Sequence, residues 1–215
     1  MAETEVMPLD QTLSQSNSET ASDNTHPEIQ FVDYRDESQI DDVMRLVALD
    51  LSEPYSIFTY RYFLHRFPDL CILAVDKRSG DVCGCVVGKI DLENTANNAM
   101  PFPEATEPSS AGSGDADTDP HIMSSTQNNP EPSQTGYIGM LAVSKSYRRH
   151  GIGKALVRQV LQRMKDRGCT SATLETEVSN VTAQKLYQNF GFIREEFLVR
   201  YYLNNGDAYR LRLWF

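Results

Sequence analysis

The uneven distribution of basic residues is the feature that most constrains how this chain can fold. All 20 of its Lys and Arg residues lie within 29–90 and 136–215, and none lies within 1–28 or 91–135. The two base-free segments hold six and eight of the 30 acidic residues, so 16 acids and 20 bases remain elsewhere. The two base-free segments therefore account for the negative net charge of −10. The remaining residues predict one mildly basic domain with a core of its own.

Both base-free segments have the composition of disordered chain. Residues 1–28 contain no Phe, Tyr or Trp, and residues 91–135 hold six of the ten prolines but only one aromatic residue, Phe102. Such segments bury too little apolar surface to offset the entropy of ordering. We therefore expect a disordered acidic tail at 1–28 and a single domain formed by 29–90 and 136–215. A disordered acidic insertion at 91–135 interrupts that domain.

Composition also argues against several classes of protein. No window approaches the roughly 18 uninterrupted apolar residues of a membrane span. The acidic N-terminal stretch differs from a secretory signal or an Arg-rich transit peptide. An acidic chain without a stripe of Lys and Arg is a poor nucleic-acid binder. The four cysteines lack the partner spacing of a zinc site, so we expect reduced thiols, no metal and a cytoplasmic location.

Hydrophobic periodicity alternates between the repeat of a strand and that of a helix. It predicts helices at about 38–51, 56–66, 151–167 and 180–189, the first capped by Ser38 and the last by Asn180, with Gly168 as a left-handed helix end. Strands are predicted at 29–34, 70–76, 82–90, 137–143, 171–178, 196–203 and 208–215. The order β-α-α-β-β-β-α-β-α-β-β indicates a mixed α/β (α+β) domain.

The most distinctive sequence motif lies in the segment between the strand at 137–143 and the following helix. It reads Arg148-Arg149-His150-Gly151-Ile152-Gly153-Lys154. Two glycines allow a tight turn, and the amide groups of a helix N-terminus suit a pyrophosphate. The basic side chains add charge for phosphate oxygens. From these residues alone, an ordinary basic turn into a helix is an equally good interpretation, since neither a Rossmann nor a Walker pattern is complete.

Two motifs in sequence resemble the GNAT acetyltransferases. The first is Arg148-x-x-Gly151-x-Gly153 after a strand, and the second is Asn180-x-x-Ala183-x-x-Leu186-Tyr187-x-x-x-Gly191-Phe192. The resemblance implies the GNAT fold, a central mixed seven-stranded sheet with flanking helices, and acetyl-CoA as co-substrate. It implies a bulge at Gly139 that helps open a slot for the cofactor. Implied cofactor-binding residues are Leu141, Ala142, Val143, Arg148, Arg149, His150, Gly151, Ile152, Gly153, Lys154 and Asn180.

Further segments are similar to the catalytic subunits of NatC-type protein N-terminal acetyltransferases. They are 51–57, 60–63, 136–143, 174–177 and 200–203. This similarity implies acetylation of nascent chains that start with Met followed by a hydrophobic residue. It also implies one large and one small auxiliary subunit, and work near the ribosome. The acidic tail and insertion lie outside the resemblance.

The resemblance assigns the chemistry to two side chains. Glu175 would be the general base, acting through water with Glu177 in support, and Tyr187 would donate to the thioester sulfur. From the residues alone, Glu175 and Glu177 fit a solvated strand face, and Tyr187 fits core packing, just as well. Asn180 fits a helix cap better than a cofactor ligand. Cys169 is expected to be buried filler, which favours direct transfer in a ternary complex over an acetyl-cysteine route.

The peptide groove is also assigned by resemblance. Its expected walls are Glu53, Pro54 and Tyr55 between the first two helices, and Tyr201 and Tyr202 near the last hairpin. Core packing is an alternative for the aromatic residues, above all for Tyr60 and Tyr62. Two other functions stay open: a GNAT enzyme for lysine or small amines, and a non-catalytic acyl-CoA-binding module that docks through its acidic segments.

Overall fold

The structure is a computed structural model, and it describes residues 27–50, 55–92 and 133–215. The strands are β1 Ile29–Asp33, β2 Cys71–Asp76, β3 Val82–Leu92, β4 Gln134–Val143, β5 Cys169–Glu177, β6 Ile193–Leu198 and β7 Ala208–Trp214. The helices are α1 Ile40–Asp50, α2 Ile57–Arg66, α3 Ile152–Asp166 and α4 Val181–Gln188. This order of elements confirms the order predicted from the periodicity.

The strands form one seven-stranded sheet in the order β1-β2-β3-β4-β5-β7-β6. Strands β4 and β5 pair in parallel, and every other neighbouring pair is antiparallel. The predicted mixed sheet is confirmed. A parallel pair needs a crossover, and α3 supplies it.

The sheet has a hydrophobic core on each face. On one face α3 buries Leu156, Val160 and Met164 against the strands, and on the other α1 and α2 bury a second cluster around Val43 and Leu64. Strand β2 is therefore buried on both sides, which explains its continuous run of apolar residues.

Glycine allows α3 to lie close to the sheet. A Cβ built on Gly136 would stand 2.8 Å from Met164 Cγ, and one built on Gly88 would stand 3.0 Å from Met164 Cε. Any side chain at these strand positions would push the fully buried Met164 away. These glycines thus fix the packing of α3, whose start lies in the basic glycine-containing segment 148–154, called the phosphate loop below after its predicted ligand.

Two local predictions were wrong. The cap at the start of the first helix is Asp36, whose carboxylate accepts a 2.9 Å hydrogen bond from the Ser38 amide, and a short 3₁₀ turn precedes α1. Strand β6 ends at Leu198, not at 203. There Arg200 adopts a positive φ of 51°, and its amide donates to the Asp207 carboxylate at 2.8 Å. Such side-chain to backbone bonds compete with a strand ladder.

The edges of the insertion also differ from the prediction. Leu92 pairs with Gln134, so β3 and β4 each extend two residues beyond the ranges assigned to the domain. The predicted disorder of 1–28 and 91–135 falls mostly on residues outside the described ranges and stays a prediction. None of the helices within the described ranges is long and apolar enough to cross a membrane.

Candidate active site

A gap opens between β4 and β5. The two strands pair only from Gln134 to Tyr137 on β4, opposite Cys169 to Thr173 on β5, and then both continue without pairing to each other. The register of β3 with β4 skips Gly139, which confirms the predicted bulge at this residue. Phe63 of α2 fills the place of the missing side chain, 3.0 Å from the position of a Gly139 Cβ. The bulge therefore reshapes β4 just where it leaves β5.

The phosphate loop lies at the far end of β4. Helix α3 begins at Ile152 with Gly151 as its N-cap at φ 78°, and Arg149 is also left-handed at φ 72°. The Arg148 Nε donates to the Val143 carbonyl at 3.1 Å, and His150 Nδ1 lies 3.0 Å from the Arg148 carbonyl. These two side chains thus tie the loop to the end of the strand. Ile152 is buried in the core, so only its backbone is available to a ligand.

Gly153 lies where three elements meet. A Cβ at this position would be in ordinary van der Waals contact, 3.8 Å from Val143 and 3.9 Å from Leu186 of α4. The first turn of α3, the end of β4 and α4 therefore approach one another around Gly153, with room for a methyl group. The side chains of Met140 and Ala142 point to the α1–α2 core, while Leu141 and Val143 pack on the α3 side.

Helix α4 carries Asn180 and Tyr187. The Asn180 side-chain oxygen accepts a 3.0 Å hydrogen bond from the Ala183 amide, which confirms its predicted role as a cap. Tyr187 is buried on the α3 side of the sheet, where its ring packs edge-on against Phe192 at 5.5 Å between centroids. Burial raises the pKa of Tyr187, so its phenol stays protonated at neutral pH.

Glu175 lies on the opposite face of the sheet, because its neighbour Leu174 belongs to the α3-side core. Its side chain is only 4% exposed and both oxygens are hydrogen bonded. The Tyr137 hydroxyl donates to Oε2 at 2.8 Å, and Arg210 Nε donates to Oε1 at 2.9 Å. Burial, and then the nearby Glu175, raises the pKa of Tyr137 well above its ordinary value, so this phenol is a donor to the carboxylate.

Sequence reasoning missed Tyr137 and Arg210. Tyr137 and Glu175 are separated by 38 residues, and the parallel pairing of β4 with β5 is what brings them together. Arg210 is the direct cross-strand partner of Glu175 in the β5–β7 ladder. The alternation of Arg210 and Arg212 on β7 was a usable signal, since it marks a polar sheet face opposite acidic residues. Glu177, two residues further along β5, accepts from the Ser179 hydroxyl at 2.9 Å and from the Asn204 amide group at 3.4 Å.

Three predicted groove residues gather near Glu175. Burial raises the pKa of Tyr202, and the nearby Tyr201, Tyr55, Glu175 and Glu177 raise it further. The rings of Tyr201 and Tyr202 meet edge-on at 5.1 Å in the β6–β7 loop, and Tyr55 meets Tyr60 at 6.2 Å. Glu53 and Pro54 lie outside the described residues.

Core packing, the alternative given from sequence for Tyr60 and Tyr62, holds for Tyr60 alone. Tyr60 is 3% exposed in the α1–α2 core, and burial raises its pKa to about 12. Tyr62 is about half exposed, although its ring meets Phe63 and Phe67 edge-on. Tyr62 is therefore a surface residue of α2.

The cysteines are unsuited to covalent catalysis. None of the four cysteines forms a disulfide, and all four are buried: Cys71, Cys83, Cys85 and Cys169. Burial raises the pKa of the Cys71 thiol to about 12, and it raises the pKa of Cys169 as well. Among the residues that the structure describes, no three His, Cys, Asp or Glu side chains are grouped as a metal site would require.

Comparison with known proteins defines the class. The profile of the acetyltransferase (GNAT) family matches residues 40–192, so the chain belongs to this family. Within it, the chain is 40% identical over 185 residues to N-alpha-acetyltransferase 30 of Saccharomyces cerevisiae, which covers 85% of each chain. It is 41% identical over 187 residues to the Homo sapiens protein of the same name, covering 86% of this chain but only 41% of that relative.

A solved structure gives the same result. The structure described as the NatC complex bound to Gag peptide and CoA contains a chain that is 38% identical to this one. The match has a TM-score of 0.67 and covers 87% of this chain and 99% of the other. The predicted GNAT fold and the resemblance to NatC-type catalytic subunits are confirmed.

Proposed function

We propose that this chain is the catalytic subunit of a NatC-type enzyme. It transfers the acetyl group of acetyl-CoA directly to the α-amine of nascent proteins that start with Met and a hydrophobic residue. The observation that carries the proposal is the gap between β4 and β5. The Tyr137–Glu175 pair lies on one face of the sheet beside it, and Tyr187 lies on the other. The names of the yeast relative and of the NatC structure support the reaction and the donor.

The residues around the gap fit an acyl-CoA. The first turn of α3 offers amide groups and a positive dipole end to the diphosphate, and Arg149 and Lys154 add charge. Gly153 carries no side chain that could shield those amides from the diphosphate. Beyond Tyr137, β4 no longer pairs with β5, and we assign the backbone of Leu141, Ala142 and Val143 to the pantetheine arm. Asn180 contributes by holding the start of α4.

Deprotonation of the substrate α-amine requires only a modest base. A chain α-amine has a pKa of about 7.8, so roughly a tenth or more of it is neutral at pH 7. Both oxygens of Glu175 already accept hydrogen bonds from side chains, but a carboxylate has further lone pairs. We therefore assign Glu175 to remove the amine proton through one water molecule, with Tyr137 and Arg210 fixing its orientation.

The remaining steps fall to β4 and α4. The neutral amine attacks the thioester carbonyl, and the Val143 amide stabilises the oxyanion. The carbon–sulfur bond then breaks and Tyr187 gives a proton to the thiolate. The proton from the amine passes through water to Glu175 and on to solvent, and solvent returns a proton to Tyr187, so that both side chains regain their starting states. The high pKa of Tyr187 suits a group that must arrive protonated. Burial raises the pKa of the Cys71, Cys83 and Cys169 thiols, which supports direct transfer in a ternary complex.

The tyrosines beside Glu175 supply the peptide groove. Tyr55, Tyr201 and Tyr202 combine apolar ring faces with hydroxyl groups, and we assign them, with Glu53 and Pro54, to the first residues of the substrate. Burying an apolar second side chain against such a wall is worth about 1.5–3 kcal/mol. By similarity to NatC, we propose one large and one small auxiliary subunit and work at the ribosome in the cytoplasm.

A structural ion pair is the competing interpretation of Glu175, since Arg210 and Tyr137 already give each of its oxygens a hydrogen bond. It would suit a non-catalytic acyl-CoA-binding module. The test is turnover on three peptides, with and without the auxiliary subunits: one starting Met-Leu, one starting Ser or Ala, and one with a blocked α-amine and a free lysine. Preference for Met-Leu supports the proposal. Preference for the lysine peptide, or acetyl-CoA binding without turnover, contradicts it.

A further inference from the structure

Lys89 on β3 is a buried lysine close to the active site. Its side chain is 8% exposed, and of the Lys and Arg residues that the structure describes it alone falls in the buried class. Within the described ranges, the anion that it contacts is Asp91, two residues along the same strand, at 2.8 Å, and the Asp91 side chain is about half exposed. Burying an ammonium ion costs several kcal/mol, and one such partner compensates that cost poorly. An apolar side chain of similar length would serve folding as well.

The ammonium group lies over the ring of Tyr137. The distance from Lys89 Nζ to the ring centroid is 5.2 Å, and the two residues are direct partners in the β3–β4 ladder. A desolvated cation over an aromatic face is attracted by its electrons and holds the ring in place. The hydroxyl at the other end of this ring donates to Glu175 at 2.8 Å. Lys89 is therefore connected to the proposed base through one ring.

The series of side-chain contacts from Lys89 through Tyr137 to Glu175 continues on the other side of Glu175. Arg210 on β7 donates to Glu175, and its Nη1 donates to Glu196 of β6 at 2.7 Å. Cations from β3 and β7 thus reach the base from both sides, one through Tyr137 and one directly. Strands β4 and β5 no longer pair with each other at the level of Glu175. Side-chain contacts across the sheet therefore replace the missing backbone ladder as the means of fixing this residue.

We infer that Lys89 is a positioning residue, which orients the Tyr137 ring so that its hydroxyl holds the Glu175 carboxylate toward the substrate amine. This inference rests on the proposed function, because it assigns Glu175 the role of base. In this role the Lys89 cation acts on the geometry of the reacting side chains and not on the stability of the fold. Asp91 holds the ammonium group above the ring.

The test is Lys89→Met compared with Lys89→Arg, each measured for turnover on the Met-Leu peptide and for thermal midpoint. We expect Lys89→Met to lower kcat about tenfold, as expected for loss of a desolvated cation–π contact, with KM for acetyl-CoA unchanged. Its thermal midpoint should equal or exceed that of the unchanged chain. Lys89→Arg keeps the cation and should restore most of kcat. The control is Lys77→Met, which removes an exposed lysine paired with Glu28 and should leave kcat unchanged.

A double-mutant cycle with Tyr137→Phe shows whether the effect passes through the hydroxyl. In that background Lys89→Met should change kcat less than about twofold, because the contact with Glu175 is already lost. An unchanged kcat in Lys89→Met alone, or an equal fall in both backgrounds, would overturn the inference.

A second readout does not depend on turnover. The ring resonance of Tyr137, assigned in ¹³C-labelled protein by its loss in Tyr137→Phe, should move in Lys89→Met and return in Lys89→Arg. A resonance that stays in place overturns the positioning role. Absence of turnover in the unchanged chain on every peptide would instead contradict the proposed function.

Discussion

Replacing Glu175 by Gln is the most informative change at the candidate site. The two side chains have nearly the same shape, so the 4% exposed position can accept the amide without repacking. The amide oxygen can satisfy either Arg210 or Tyr137, but its NH₂ group repels the other donor unless the Tyr137 hydroxyl turns. The variant therefore loses one charge-assisted hydrogen bond and the capacity to take a proton.

These two losses have separate magnitudes. The lost hydrogen bond to a charged group should lower the free energy of unfolding by about 1.5–3 kcal/mol. At roughly 2–4 °C per kcal/mol for a chain of this size, the melting temperature falls by about 3–12 °C. Loss of a general base should lower kcat by about 10²–10⁴-fold. Affinity for acetyl-CoA should stay within about twofold, because the phosphate loop is untouched.

The assay is steady-state release of CoA on a Met-Leu peptide between pH 6 and 10, together with calorimetric binding of acetyl-CoA. The matched control is Glu195→Gln, because Glu195 makes a comparable 2.7 Å ion pair with Arg212 one step along the same sheet face. That change should cost about 1 kcal/mol or less of stability and leave kcat unchanged. A Glu175→Gln enzyme with kcat within threefold of the original and the same pH–rate profile would refute the base role.

Four further predictions follow from single contacts. Gly153→Ala should raise the free energy of unfolding by up to about 1 kcal/mol, because Ala favours the helix and its Cβ meets nothing closer than 3.8 Å. Calorimetry should nevertheless show weaker acetyl-CoA binding, because the added methyl group stands at the first turn of α3. Gly136→Ala should lower the free energy of unfolding by about 1–3 kcal/mol in urea titrations, because it displaces Met164; an unchanged midpoint would show that α3 adapts. Tyr187→Phe should keep stability and lower kcat about 10–100-fold in the same assay, and full activity would leave Tyr187 a packing residue. Iodoacetamide at pH 8 should leave the folded enzyme active and Cys71 unmodified by mass spectrometry, because its pKa of about 12 leaves almost no thiolate; inactivation that acetyl-CoA prevents would favour an acetyl-cysteine route.

The sequence predicts elements well where one local pattern dominates. The order of strands and helices, the Asn180 cap and the left-handed Gly168 are all confirmed. Each depends on residues within one turn or one strand. The predicted end of β6 failed because Asp207 and Asn204 bond to nearby backbone amides, which a pattern of alternating residues does not reveal.

The site itself is less accessible to sequence reasoning. The phosphate loop is contiguous and was therefore found, but the partners of Glu175 come from β4 and β7, 38 and 35 residues away. Their meeting depends on the sheet order β4-β5-β7, in which β5 pairs in parallel with one neighbour and antiparallel with the other. The opposite placement of Glu175 and Tyr187 on the two faces follows from that same topology.

The central claim is that the acyl donor occupies the gap between β4 and β5. Chemical-shift mapping of backbone amides during titration with CoA tests this most directly. We expect the largest chemical-shift changes at the amides of Gly151, Ile152 and Gly153 and along Leu141 to Val143, with smaller changes at the start of α4. Shifts confined to other surfaces, with these amides unmoved at saturating CoA, would contradict it.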